Sequence, residues 1–295
     1  MEETILLFFQ NIESPVLDCF FELITMLGEK NILIAVIAWM FWNVEKKKGF
    51  ILSFILLFSL VLNTGIKIAF HRQRPFELIP GIVGKRIQTA TGYSFPSGHT
   101  QGAATFYMTL ALLFKRRWIC ISAVAVSLLV AVSRLYLGVH WPVDVAGGLF
   151  LGAAVAIIIY PLLSSVYDTS VARYLVVVIS SITALLILTG FLIINRVYFS
   201  GELVLTDLMK TVGVFSGVSV GFVLEGKYTN FSVKGSIVKK GLRFAIGIIG
   251  TMILITGLKL VFPEVDTFHF LRYALTGLWI TWLYPAAGKR VGLFE

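Results

Sequence analysis

Charge is scarce in this chain: Asp, Glu, Lys and Arg make up 14% of its 295 residues, against 57% hydrophobic residues. A water-soluble domain of that length needs far more polar surface, so the composition excludes the soluble classes and selects a polytopic membrane protein. Cysteine is nearly absent. Cys19 and Cys120 fall in different apolar segments, which excludes a disulfide framework and offers no metal-ligand spacing. The opening MEET is acidic and lacks the basic region of a cleavable signal peptide, so no processed precursor is expected. Acidic clusters of the kind hard cations prefer are missing too, and neither a metal nor another cofactor is expected. The net charge of +9 would suit nucleic acid in a polar protein. In an apolar one, basic cytoplasmic loops are the simpler source, and no nucleic-acid partner is expected.

Long apolar runs are what the chain does have. They fall at about 31–44, 50–70, 99–114, 118–137, 144–164, 173–194, 209–224, 243–262 and 270–287, and a helix needs about 20 apolar residues to span a bilayer. The expected fold is all-α, a polytopic bundle of about nine transmembrane helices. Residues 4–28 break at Ser14-Pro15 and then set Val16, Leu17, Phe20, Phe21, Ile24 and Leu27 on one face, against Asp18, Glu22 and Thr25. That pattern suits an amphipathic helix in the interface, or else a short buried helix. Residues 1–30 are therefore set apart as an interfacial segment, 31–194 as a six-helix core and 195–295 as three added spans. Small residues at 102–104, 147–148 and 152–154 permit close helix packing. Basic clusters at 46–48, 115–117, 239–243 and 289–290 belong in the cytoplasm by the positive-inside rule, which places the 71–98 loop outside.

Three polar stretches fall on that expected outer side: KIAFHRQRP from Lys67, FPSGHT from Phe95, and SRLYLGVHWPVD from Ser133. Each alone has an ordinary reading, as a snorkelling lysine, a turn before a helix or a packed histidine. Together they gather Lys67, Arg74, Arg134, His99, His140 and Asp144 at one membrane boundary, where ionisable groups signal function. Three cations beside two histidines suit a dianionic phosphate. Pro96 suits a first helical turn, which would expose the N–H groups of Ser97, Gly98 and His99 to an anion. Pro142 marks a second helix start, with His140 just before it and Asp144 in its first turn. Four residues apart, the two side chains can meet, the carboxylate fixing the imidazole and making His140 an activated nucleophile. His71 and Arg72 are read as solvated loop residues or headgroup contacts, and Lys85, Arg86 and Tyr93 as parts of a lid.

These residues resemble the type 2 phosphatidic acid phosphatase superfamily, whose site is shared with vanadium haloperoxidases. Its three signatures stand complete, K-x6-R-P from Lys67 to Pro75, P-S-G-H from Pro96 to His99, and S-R-x5-H-x3-D from Ser133 to Asp144. The resemblance implies that His140 attacks phosphorus, that Asp144 orients it, and that His99 protonates the leaving oxygen and later helps activate water. It implies that Lys67, Arg74, Arg134, Ser97 and the Gly98 backbone hold the phosphoryl oxygens, with no metal. The implied substrate is a phosphorylated membrane lipid: phosphatidic acid, phosphatidylglycerophosphate, a polyprenyl phosphate or diphosphate, or a sphingoid phosphate. A lipid phosphotransferase with the same intermediate and a catalytically silent membrane binding module are the alternatives. Short loops lean towards a bacterial plasma membrane with the site on the outer face.

Overall fold

The computed structural model describes residues 1–198 and 205–295. Every regular element among them is helical: α1 (Glu2–Asn11), α2 (Pro15–Met26), α3 (Lys30–Asn43), α4 (Lys46–Phe70), the short α5 (Pro75–Leu78), α6 (Gly98–Phe114), α7 (Arg117–Tyr136), α8 (Pro142–Val166), α9 (Ser170–Tyr198), α10 (Thr206–Leu224), α11 (Ile237–Val261), α12 (Asp266–Leu278) and α13 (Tyr284–Arg290). The chain is an integral membrane protein. All nine expected apolar runs fall on helices, and the coarser statement, an all-helical chain with several membrane spans, is what their lengths and composition establish. Among the described residues, six helices are long and apolar enough to cross a bilayer, seven if α2 and α3, bent by 45°, count as one span. Of the other expected spans, α3 and α6 have 14 and 17 residues, at or below the short end of spanning lengths; α12 runs on without a break through the turn at Trp279–Leu283 into α13, so length does not set it apart.

The chain divides into two compact units, residues 1–34 with 58–161, and residues 35–57 with 162–295. In the first, the N-terminal region is two helices. The Ser14 hydroxyl accepts from the Leu17 N–H at 3.3 Å and Pro15 takes the first helical position, a regular helix start. Both α1 and α2 pack on α7. Leu6 is buried with Ile82 and Trp141, and Phe21 stacks on Tyr136 at 4.4 Å. The glycines of α8 bring it against α6. A Cβ on Gly148 would lie 2.9 Å from the Ser97 carbonyl oxygen, and one on Gly152 would lie 2.8 Å from the Ala104 Cβ. Between α4 and α6 runs a buried polar layer. Asn63 donates to Gln101 Oε1 at 2.9 Å, Gln101 donates to the Ser59 carbonyl at 2.9 Å, and the Ser59 and Thr105 hydroxyls meet at 2.8 Å. Such a layer fixes helix register because every member is satisfied.

In the second unit α10 packs on α12 through Gly213, Gly217 and Gly221, four residues apart and thus on one helical face. Added Cβ atoms there would run into the Phe270 and Ala274 backbones and the Thr281 side chain. Backbone contact of this kind is the usual device of helix association in lipid. Asp168 pairs with Lys47 at 2.7 Å, and Asp266 accepts from the Thr206 hydroxyl at 3.1 Å.

Candidate active site

Every residue expected in the site lies in the first unit, so its geometry is internal to one compact body. The spacing of the third motif follows from local backbone chemistry. Helix α7 ends at Tyr136, and the chain reverses at Gly138, whose φ is +66° and whose added Cβ would lie 2.9 Å from the Val83 carbonyl oxygen. Only glycine accepts both the left-handed conformation and the close approach. Pro142 then opens α8. Asp144, in the first turn, reaches back to accept from the Trp141 N–H at 2.8 Å, the carboxylate half of a capping box.

That cap also orients the candidate nucleophile. Asp144 Oδ2 lies 3.5 Å from His140 Nδ1 and accepts a short hydrogen bond from the Ser94 hydroxyl. The same hydroxyl lies 3.4 Å from His140 Nδ1. Asp144 Oδ1 accepts from Arg72 at 3.1 Å. With Nδ1 facing the carboxylate, Nε2 is the nitrogen left for a substrate, and Arg74 Nη1 lies 3.3 Å from it. Burial, with Arg74 and Lys67 nearby, holds the His140 pKa well below its ordinary value of 6.5, so the imidazole is neutral and its lone pair is available near neutral pH.

The cations surround this nitrogen. Arg74 is almost fully buried and donates to the carbonyls of Val139, Gly92 and Thr91 at 2.8, 3.0 and 2.8 Å. Lys67 donates to the carbonyls of Tyr93 and, at 3.3 Å, Thr91. Arg134 is fully buried, with Nη1 donating to the Thr25 hydroxyl at 2.8 Å, while its Nε and Nη2 and the Nε2 of His99 have no hydrogen-bond partner. A buried donor left unpaired carries a desolvation cost of about 1–3 kcal/mol. These nitrogens are the buried polar atoms that the site itself leaves without a partner. Helix α6 starts at Gly98 with Ser97 as its N-cap. Pro96 accordingly stands before the helix, outside the first turn expected for it, and its carbonyl accepts from Asn63 at 3.3 Å.

Other expectations are corrected by their partners. Arg72 is no free headgroup contact. It spans Asp144 and Glu2, the latter at 2.7 Å, while the other Glu2 oxygen accepts from the Val143 N–H at 3.1 Å. Lys85 pairs with Glu13 and Asp18 at 3.0 and 2.6 Å, and Arg86 with Glu29 at 2.5 Å. The proposed lid cations are thus tied to the N-terminal helices. Ser94 and Glu2 were not singled out in the sequence. Ser94 lies one residue outside the FPSGHT stretch, and nothing in the spacing of Glu2 links it to Arg72.

The sequence pattern of the PAP2 superfamily matches residues 48–168, which contain all these motifs, and that of the PAP2 superfamily phosphatase transmembrane extension matches residues 209–295. A lipid A 4'-phosphatase of Porphyromonas gingivalis is 30% identical over 178 residues, 54% of this chain and 72% of that protein. The chain belongs to the PAP2 superfamily. Other PAP2 relatives include an undecaprenyl-diphosphatase of Bacillus subtilis, 33% identical over 129 residues, 43% of this chain and 65% of that protein. A phosphatidylglycerophosphatase B of the same organism is 31% identical over 142 residues, 44% of this chain and 66% of that one. The chain thus spans just under two thirds of the length of these two Bacillus proteins.

Proposed function

We propose that this chain is an integral-membrane lipid phosphatase working through a phosphohistidine, without a metal. The observation that carries the reading is the buried His140–Asp144 pair facing Arg74, beside the unpartnered edge of Arg134 and the unpartnered His99 nitrogen. His140 Nε2 attacks phosphorus as the bond to the leaving oxygen breaks, and His99 supplies the proton that oxygen takes up. In the second half-reaction His99 takes a proton from water, which displaces phosphate and restores His140. Arg134, Arg74 and Lys67 stabilise the phosphoryl oxygens, together with Ser97 and the Gly98 N–H at the start of α6. Residues 31–194 form the catalytic core, with 1–30 as an interfacial segment and 195–295 as an appended helical part.

The substrate class is a phosphomonoester or diphosphate of a membrane lipid, as the names of the relatives suggest. Basic clusters at the opposite loops support a site on the outer face of the membrane, and the bacterial relatives support a bacterial plasma membrane. The test is phosphate release from a panel of lipid phosphates in detergent with chelator present. Activity is expected to persist, to be inhibited by vanadate, and to fall at least about a thousandfold in His140→Ala. A folded His140→Ala protein with full activity rejects the mechanism. Phosphate appearing on an acceptor lipid, with little released, assigns the chain to phosphotransfer.

A further inference from the structure

The pattern of unpartnered donors that marks the core site has a counterpart in the second unit. Arg272 and His269 lie three residues apart on one face of α12, 4% and 6% exposed. Arg272 Nε and Nη2 have no hydrogen-bond partner, and neither has His269 Nδ1. Among the described residues, Arg134 and Arg272 are the arginines with buried nitrogens in this condition, and in both the same two nitrogens are left over. Nε and Nη2 share one edge of the guanidinium plane, the edge that receives two oxygens of a phosphate or carboxylate side-on.

The acid nearest this edge does not fill it. Glu264 is half exposed, and its Oε1 stands 3.6 Å from Arg272 Nη2, while its Oε2 stands 3.3 Å from His269 Nε2. Lys259 holds the same carboxylate at 3.9 Å. Asp266 is engaged by the Thr206 hydroxyl at 3.1 Å. Lys210 lies close enough to act on His269. Beside them the surface is apolar, with Leu260, Val261 and Val265 exposed and Phe262 against Phe268 at 5.2 Å.

We infer that Arg272 and His269 form a second anion site, which holds the phosphate of a membrane lipid headgroup while its acyl chains lie along Leu260, Val261 and Val265. Two phosphate oxygens accept from the Nε and Nη2 of Arg272 and a third from the Nδ1–H of His269, with Glu264 competing for Arg272. The site is one of binding only, and it stands whether or not His140 is a nucleophile.

The test uses the full chain carrying His140→Ala in detergent, first checked for loss of turnover, with radiolabelled dioctanoyl phosphatidic acid in equilibrium dialysis. Dioctanoylglycerol measures tail partitioning, and inorganic phosphate is the arm without tails. Two saturable equivalents of phosphatidic acid per chain are expected, falling to one in Arg272→Gln and in Arg272→Lys, since an ammonium cannot offer the side-on pair. Glu264→Gln removes the competitor and should tighten the weaker equivalent severalfold. Inorganic phosphate filling the second equivalent as readily as the lipid supports the anion site and assigns it to free phosphate. A single equivalent in the parent that survives Arg272→Gln, or two retained in Arg272→Gln, overturns the inference. Arg272→Gln should melt little below the parent without lipid, because the buried guanidinium has only one long ion pair, to the half-exposed Glu264, and no hydrogen bond at Nε or Nη2; a marked drop would assign the arginine to packing instead. Failure of the phosphatase reading shows separately, as activity kept by His140→Ala.

Discussion

Asp144 shares two oxygens among four groups: His140, Ser94 and the Trp141 N–H on one, Arg72 on the other. Because Arg72 is held in turn by Glu2, the carboxylate cannot rotate without breaking an ion pair. A hydrogen bond to a charged group contributes about 1.5–3 kcal/mol, so Arg72→Gln should lower kcat by roughly ten- to a hundredfold. Steady-state kinetics on a lipid phosphate would check this, and a change confined to KM would place Arg72 at the headgroup instead. The buried imidazole of His140 has a stability consequence as well. Its pKa is depressed in the folded protein, whereas the unfolded chain binds a proton near 6.5, so stability is lost as pH falls below that value. The melting temperature in detergent should drop between about pH 7 and about pH 5, and His140→Gln should shrink the drop. Equal drops in both proteins would count against a neutral, buried His140. The motif residues were legible in the sequence because each carries its own spacing to the next. Ser94, Arg72 and Glu2 act through tertiary contacts spread over 142 positions, which no local pattern encodes.

At the scale of the helix, glycine placement separates backbone contact from open space. Gly217 has the Ala274 carbonyl where a Cβ would go, while Gly257, on α11, has nothing within 4 Å. Gly217→Ala should therefore destabilise the protein by about 1–3 kcal/mol through overpacking. Gly257→Ala should be neutral or stabilising by up to about 1 kcal/mol, from helix propensity. Thermal melting of the two variants side by side checks the pair, and equal shifts would show that α10 and α12 do not touch through backbone. The apolar runs located nearly every helix, since hydropathy reports where side chains avoid water. It does not report where a cap ends the helix. Helix α6 stops at Lys115, a residue in the left-handed conformation at φ +50°, an end that the apolar run by itself does not mark.

For the whole molecule, the open quantity is orientation across the bilayer. Both native cysteines are exposed, so the probe requires Cys19→Ser and Cys120→Ser first. In that background an impermeant thiol reagent should label Gln88→Cys in intact cells and Lys239→Cys only after lysis. The reverse pattern would turn the site to the cytoplasmic face. The basic loops predict one orientation, whereas no sequence pattern points to the cluster at Arg272 and His269. Arg272 reads in the sequence as one cation among several near helix ends, and its burial without a hydrogen bond at Nε or Nη2 exists only once α12 is packed. Helix α11 behaves differently from all its neighbours. Only 6% of its apolar window is buried, and its buried residues are Arg243 and Gly247, the latter lodged against Trp42 and Tyr284. Over evolutionary time such a helix is constrained by solubility in lipid rather than by shape. Along α11, descendants of this chain should exchange Ile, Leu, Val, Met and Phe freely, keeping hydropathy while losing identity everywhere except at the turn that holds Arg243 and Gly247.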